Sequence, residues 1–333
     1  RGPCIGVRKD ILDRYHLPLP RTIEELTAVS RRLREFDPGI VPISGAWWDF
    51  GTLLCPALGI EHWDAHIVDQ VRGMIYTGNK REDFYAFFVQ LRGWYDEGLL
   101  DTEFLSANFD RIKELLFTGR NVFTFNNVER TNDWARELAG VNPRAELSVI
   151  PELNGAGVYS PQGEIPHHLI IPQSSVKKDE IVRFANWVFQ SPEHYYLVHL
   201  GIEGRHYRRQ AHSFVSIEPT RYRGLFTPVV NKDFALPNAN MYQTWYSAIE
   251  EVQKVKWKTD ILSGQLFLDA SIERSYPQLV QFDREWWKYL DGSREPSAEN
   301  YRTTLALYFD NGGTEISRSY YQSYVAQRRP GTH

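Results

Sequence analysis

Short apolar runs alternate with amphipathic, end-marked helical stretches along this chain, and that alternation calls for an α/β architecture rather than an all-β fold or a helix bundle. Ile5-Gly-Val reads as a strand, followed by a turn or two of helix from Arg8 that ends at Leu17-Pro18-Leu19-Pro20. Thr22 then opens a helix: it is an N-cap with Glu25 three residues on, the spacing of a capping box. Ile23, Leu26, Val29 and Leu33 supply the apolar stripe, and Asp37-Pro38-Gly39 stops it. Ile40-Val-Pro-Ile-Ser is the next strand, and its end delivers Trp47-Trp48-Asp49-Phe50 on a loop before the apolar run from Leu53.

The pattern continues. A helix spans roughly Arg81 to Glu97, with Phe84, Phe87, Phe88, Leu91 and Tyr95 inward and Gly98 at the glycine cap position. Phe109 to Thr118 is a short helix stopped by Gly119, and Asn121–Asn126 and Ala145–Pro151 are strands. Leu169-Ile-Ile-Pro is expected as a buried strand, and Val176–Gln190 as a helix with Ile181, Phe184, Ala185 and Val188 inward. Beyond Pro237 the chain reads as mostly helical to Tyr324, with breaks near Gly264, Gly292 and Gly312-Gly313.

At 333 residues the chain exceeds what one hydrophobic core usually organises, so two lobes are expected. Its 42% hydrophobic and 24% charged residues are those of a globular protein. A net charge of −4 without a basic stripe gives no reason to expect nucleic acid or an anionic membrane surface as a partner. No apolar stretch reaches membrane-spanning length. The start at Arg1 has no Met, charged region or apolar core of a signal peptide, and looks cut from something longer.

Cys4 and Cys55 match no metal or redox spacing and are expected as small buried hydrophobes, with a disulfide the alternative. His167 and His168 are adjacent and on a strand would point to opposite faces, so no metal site is expected, and no cofactor is implied. Aromatic residues are abundant, with 10 Trp, 18 Tyr and 18 Phe. Most such rings build cores, but Trp and Tyr also serve as flat platforms for the C–H faces of sugars.

Five strings, in order, resemble one family. Val7-Arg-Lys-Asp-Ile-Leu-Asp with Pro20-Arg-Thr-Ile-Glu-Glu-Leu is similar to the "RKDWLD … PTTxDE" region of LplA-like extracellular solute-binding proteins, family 1. Trp94-Tyr-Asp-Glu-Gly-Leu-Leu-Asp-Thr-Glu-Phe, Leu115-Leu-Phe-Thr-Gly-Arg-Asn-Val, Gly201-Ile-Glu-Gly-Arg-His-Tyr, and Phe309-Asp-Asn-Gly-Gly-Thr-Glu-Ile with Tyr320-Tyr-Gln-Ser-Tyr follow that group's later motifs. The likeness covers nearly the whole chain. It implies a periplasmic-binding-protein-like fold of type II, with two hinged lobes and a helix-rich C-terminal part.

The same resemblance implies that the first lobe is incomplete: residues 1–155 would be second-lobe α/β, 165–235 a remnant of the first lobe, and 236–327 a helical return to the second. It implies an extracellular or periplasmic lipoprotein, monomeric, that captures an oligosaccharide between its lobes for ABC-transporter permease subunits, with its lipid anchor outside this sequence. Hinge crossings are expected near Ile150–Glu152 and close to the N-terminus. Family members often carry a calcium-like loop after the first capped helix; Asp37-Pro-Gly-Ile-Val-Pro has too few oxygen ligands for one.

In α/β sheets ligands lie beyond the C-terminal ends of strands, which selects two segments as candidate ligand contacts. Trp47, Trp48 and Asp49 follow the second strand, and consecutive rings cannot both face one core, so one should be partly exposed to stack on sugar or to pack between lobes. Asn126, Asn127, Glu129 and Arg130 hold amides, a carboxylate and a guanidinium suited to vicinal hydroxyls; the alternative is a turn in which Thr131 or Asn132 caps a helix from Trp134. Trp245 is a further candidate, with a core role the alternative. Glu203 and His206 lie in a tight glycine turn and are read as structural. The competing function is a glycoside hydrolase or lyase, which needs two carboxylates set across the scissile bond, and no motif here places such a pair. An adhesive surface protein is the third option.

Overall fold

The computed structural model describes residues 2–160, 169–217, 231, 233–236, 250–252, 254–262 and 270–327. Contacts divide the chain into two compact units, Arg1–Gly163 with Gln243–His333, and Glu164–Tyr242.

The larger unit is organised by a four-stranded mixed sheet of β1 (Pro3–Arg8), β2 (Ile43–Gly45), β5 (Phe123–Asn127) and β6 (Leu147–Ile150), in the order β2-β5-β1-β6. β1 runs antiparallel to both neighbours, with Ile5 opposite Phe125 on one side and Ile150 on the other, while β2 lies parallel to β5. Central placement explains the sequence of β1, whose residues from Cys4 to Arg8 are all buried. Arg8 tolerates this because its guanidinium grips both carboxylate oxygens of Asp10 and donates to the Leu116 carbonyl at 2.6 Å. The strand expected from Ile40 forms only at Ile43. Pro42 has no N–H to give to the ladder, and its carbonyl instead takes the Val122 and Phe123 N–H groups.

Helix α1 (Lys9–Arg14) follows β1 directly, and α2 (Ile23–Phe36) begins at the Thr22 cap, whose hydroxyl accepts the Glu25 N–H at 3.1 Å. The residues Trp47 to Asp49, expected on a loop, are instead the first turn of α3 (Trp47–Ala57). The N-cap is Ala46, which makes no side-chain capping bond, so the usual sequence mark of a helix start is missing. On α3, Gly51 lets Trp63 lie against the helix: a Cβ there would sit 2.0 Å from that ring. The hairpin of β3 (His66–Asp69) and β4 (Met74–Thr77) then leads through two short 3-10 turns into α4 (Tyr85–Asp96), ended at Gly98 with φ +66°. On α4 the buried place expected for Tyr95 is taken by Trp94, whose indole N–H donates to Thr27 at 2.8 Å, and Tyr95 faces outward.

Helix α5 (Phe109–Phe117) precedes β5, and α6 (Val128–Val141) follows it. The late segments complete the core. α9 (Ala270–Leu290) contributes Phe282, Trp286 and Tyr289, and α10 (Ala298–Tyr308) contributes Tyr301 and Leu305. A wide turn at Phe309–Gly313, with Gly312 at φ +103°, leads to α11 (Thr314–Gln327). This C-terminal region is not wholly helical: β10 (Trp257–Thr259) pairs in parallel with β7 (Val158–Ser160). Gly157 is required at that junction, since a Cβ would stand 2.3 Å from the Lys256 carbonyl.

The smaller unit holds α7 (Lys178–Gln190), α8 (Pro192–His199) and the hairpin of β8 (Tyr207–Gln210) and β9 (Ser213–Ser216), around Val188, Tyr195, Tyr196 and Tyr207. Only Val188 of the expected inward set on α7 is buried; Phe184 is exposed and lies alongside Trp187. The run Leu169–Pro172 is not a strand, and Ile170 is 82% exposed. No strand among the described residues pairs with it, so apolar content alone was a misleading guide there. Gly201 and Gly204 both take positive φ, Glu203 pairs with Arg209, and His206 accepts the Ile202 N–H, a turn as read from the glycines.

Candidate functional site

The first turns of α3, α5 and α6 gather an aromatic and polar face on the larger unit. Trp47 is its centre. Its half-buried ring meets Trp48 (5.8 Å between centroids), Trp63 (5.5 Å), Trp286 (6.0 Å) and Trp287 (4.9 Å), mostly edge to face. Trp48 and Trp287 flank it and stay 42% and 36% exposed. The divergence of adjacent rings holds for a helix as it did for an extended segment, because neighbouring positions point about 100° apart.

Next to Trp48, and edge-on to it at 6.2 Å, lies Phe109, the first residue of α5. Arg130 lies over the Phe109 ring, its guanidinium carbon 3.5 Å from the centroid. The same guanidinium donates to Asn126 Oδ1 at 2.6 Å and stands 4.0 Å from Asp49 Oδ2. Asn127 is the N-cap of α6, its Oδ1 accepting the Arg130 N–H at 2.8 Å, so the helix starts at Val128 rather than near Trp134. Glu129 occupies the first turn of α6, and its charge is felt at Cys4, Arg130 and Asp133. The sequence-selected residues Trp48, Asp49, Asn126 and Arg130 thus come together, with Trp47 behind them and Asn127 occupied in capping. Trp245 lies outside the described residues.

The electrostatics of this face are unusual. Burial pushes the Asp49 carboxyl up to about 7, with Arg130 pulling the other way. Burial likewise lowers the Arg130 pKa, against Asp49 and Glu129. Asp49 Oδ2 and Asn126 Nδ2 are buried yet make no hydrogen bond among the described residues, and neither does Asn132 Oδ1 one turn further along α6. Each such atom forfeits about 1–3 kcal/mol relative to a partnered one. Each keeps hydrogen-bonding capacity that no described residue fills.

Sequence reasoning did not select Phe109, Trp287 or Asn132. Trp286-Trp287 repeats the adjacent pair at Trp47-Trp48, and the same divergence of neighbouring rings marks Trp287 in the sequence. Phe109 gave a weaker signal, an aromatic immediately after the Asn108 cap and off the apolar stripe of its helix.

A second polar cluster ties β3, β7 and β10 together. Asp260 accepts from the His66 N–H and Nδ1 (both 2.9 Å), the Tyr159 hydroxyl (3.0 Å) and the Leu262 N–H (2.6 Å). His62 stacks on Tyr159 at 4.5 Å, and burial pushes its pKa down to about 3, so it is neutral. Cys4 and Cys55 are buried free thiols. Among the described residues no group of three or more His, Cys, Asp or Glu side chains could hold a metal ion, and no helix is long and apolar enough to cross a membrane.

The fold is that of the periplasmic-binding-protein-like solute binders. Among solved structures, the alginate-binding protein AlgQ2 without calcium superposes with a TM-score of 0.72 at 16% identity, covering 97% of this chain and 72% of that one. The N-glycan transport solute-binding protein NgtS from Streptococcus pneumoniae gives 0.65 at 14% identity, with 98% and 74% covered. A solute-binding protein from Bifidobacterium longum infantis, associated with an ABC transporter and named for binding HMO, gives 0.61 at 14%, with 97% and 74% covered. No protein-family model and no curated protein matches the sequence.

Proposed function

We propose that this protein binds an oligosaccharide on the face built by α3, α5 and α6 and passes it to the permease subunits of an ABC importer, with no covalent chemistry of its own. The observation that carries the reading is the pairing of exposed indoles with buried polar atoms that make no hydrogen bond among the described residues. Trp48 and Trp287 offer flat apolar surface, while Asp49 Oδ2, on the residue after Trp48, and Asn126 Nδ2 make no hydrogen bond among the described residues. A pyranose or furanose ring answers both needs, since its C–H face stacks on an aromatic ring while its hydroxyls donate and accept. The shared fold with proteins named for binding alginate, N-glycan and HMO supports the same conclusion.

We further place the protein outside the cytoplasmic membrane as a lipid-anchored monomer. In this reading residues 1–155 and 236–327 make the second lobe of such a binder, and residues 165–235 belong to its first. Thermal-shift measurement of the purified chain against a panel of neutral and acidic oligosaccharides tests the proposal. At least one sugar should raise the melting temperature, the rise should vanish in Trp48→Ala, and the recovered sugar should be intact on chromatography. A panel without any stabilising sugar, or cleavage products in the recovered material, would overturn it.

A further inference from the structure

We infer that the ligand is an uncharged oligosaccharide rather than a uronate or other acidic glycan; this rests on the binding face proposed above. Three helices start at that face, and each brings a carboxylate in its own first turn: Asp49 on α3, Asp110 on α5 and Glu129 on α6. A helix N-terminus carries about half a positive charge, so on its own each start would favour an anion. Here the three acids already meet the three helix ends. Those turns add two cations, and the Arg130 guanidinium is engaged on several sides: the Phe109 ring covers one face, Asn126 takes one N–H, and Asp49 stands 4.0 Å away. Arg111, one position further on α5, is held by Asp101 and Glu103.

Among the described residues, the face has no surplus of positive charge to offset an incoming carboxylate. A uronate would bring one negative charge per sugar residue toward Asp49 and Glu129, whereas a sugar with only hydroxyls brings none. Burial has already made the ionised form of Asp49 costly, and a second carboxylate nearby would raise that cost further. The likeness in fold to an alginate-binding protein therefore does not extend, in this inference, to its class of sugar.

Titration calorimetry on the whole chain tests this with three probes: a neutral tetrasaccharide such as stachyose, an alginate tetrasaccharide, and the same alginate after chemical reduction of its carboxyl groups. The neutral sugar or the reduced alginate should bind at least about tenfold more tightly than native alginate, the scale of one unscreened charge pair at a partly buried site. Glu129→Gln should narrow the gap by strengthening native alginate, and Asp49→Asn gives the same comparison should that variant fold poorly. Native alginate binding as tightly as its reduced form, with neither variant changing the ratio, would overturn the inference while leaving the sugar-binding proposal standing. Failure of all three sugars and of a wider neutral panel would overturn both.

Discussion

The guanidinium of Arg130 lies 3.5 Å from the ring centre of Phe109, although the two residues start different helices. Stacked cations of this kind contribute about 0.5–2 kcal/mol. Here the ring also fixes which way Arg130 can reach, toward Asn126 and Asp49. Phe109→Ala should cost the fold about 0.5–2 kcal/mol in urea denaturation and weaken sugar binding several-fold, whereas Phe109→Tyr should restore both. Unchanged affinity in the alanine variant would remove Arg130 positioning from the account of the site.

Trp47 and Trp48 should separate cleanly on truncation. Trp47 touches four other indoles, so Trp47→Ala should lower stability by about 2–4 kcal/mol. Trp48 has edge contacts to Trp47 and Phe109 and an open face, so Trp48→Ala should cost under about 1 kcal/mol of stability. Its loss should appear in binding instead, at about 1–3 kcal/mol, the value of covering a large apolar side chain. Calorimetry and chemical denaturation on both variants check this; equal losses in both measurements would make Trp48 a packing residue.

Asp49 predicts a pH effect with a definite sign. Its carboxyl is raised to about 7 by burial, from near 3.9 in the unfolded chain. A raised carboxyl favours the protonated folded state, so its contribution is fully present below pH 4 and is lost as pH rises through about 7. Asp49→Asn removes this dependence. The variant should therefore gain on the wild type between pH 5 and pH 8, by at most about 3 kcal/mol for a shift of this size. Urea midpoints at the two pH values decide it, and a constant difference between the proteins would show that Asp49 does not titrate there.

Asp260 should behave in the opposite sense. Burial alone would raise its carboxyl, but bonds from the His66 side chain and N–H and from the Leu262 N–H hold it down at about 2. The stability it supplies is present above pH 4 and is lost as pH falls through about 2. Asp260→Ala would leave the buried Tyr159 hydroxyl and the neighbouring N–H groups without their acceptor, at a cost of about 2–4 kcal/mol near neutrality. Denaturation at pH 7 measures that loss directly.

What the sequence determined by itself is whatever a few neighbouring residues control. Thr22 with Glu25 marks the start of α2, and the glycines at 98, 119, 292 and 312 adopt the positive φ that ends or breaks helices. The strand before Asn127 and the split between adjacent tryptophans were legible for the same reason, since backbone preference and side-chain direction are local properties. Other features needed the tertiary structure. Ala46 starts α3 without a capping side chain, directly after β2 ends at Gly45. Trp257–Thr259 becomes a strand because β7 presents an open edge to it, a pairing no window of ten residues contains. The choice of Trp48 over Trp47 as the exposed ring depends on Trp63, Trp286 and Trp287 closing around Trp47, and the partnership of His66 with Asp260 joins residues 194 positions apart. Contacts at that separation depend on how the whole chain packs, which no local preference along the sequence specifies.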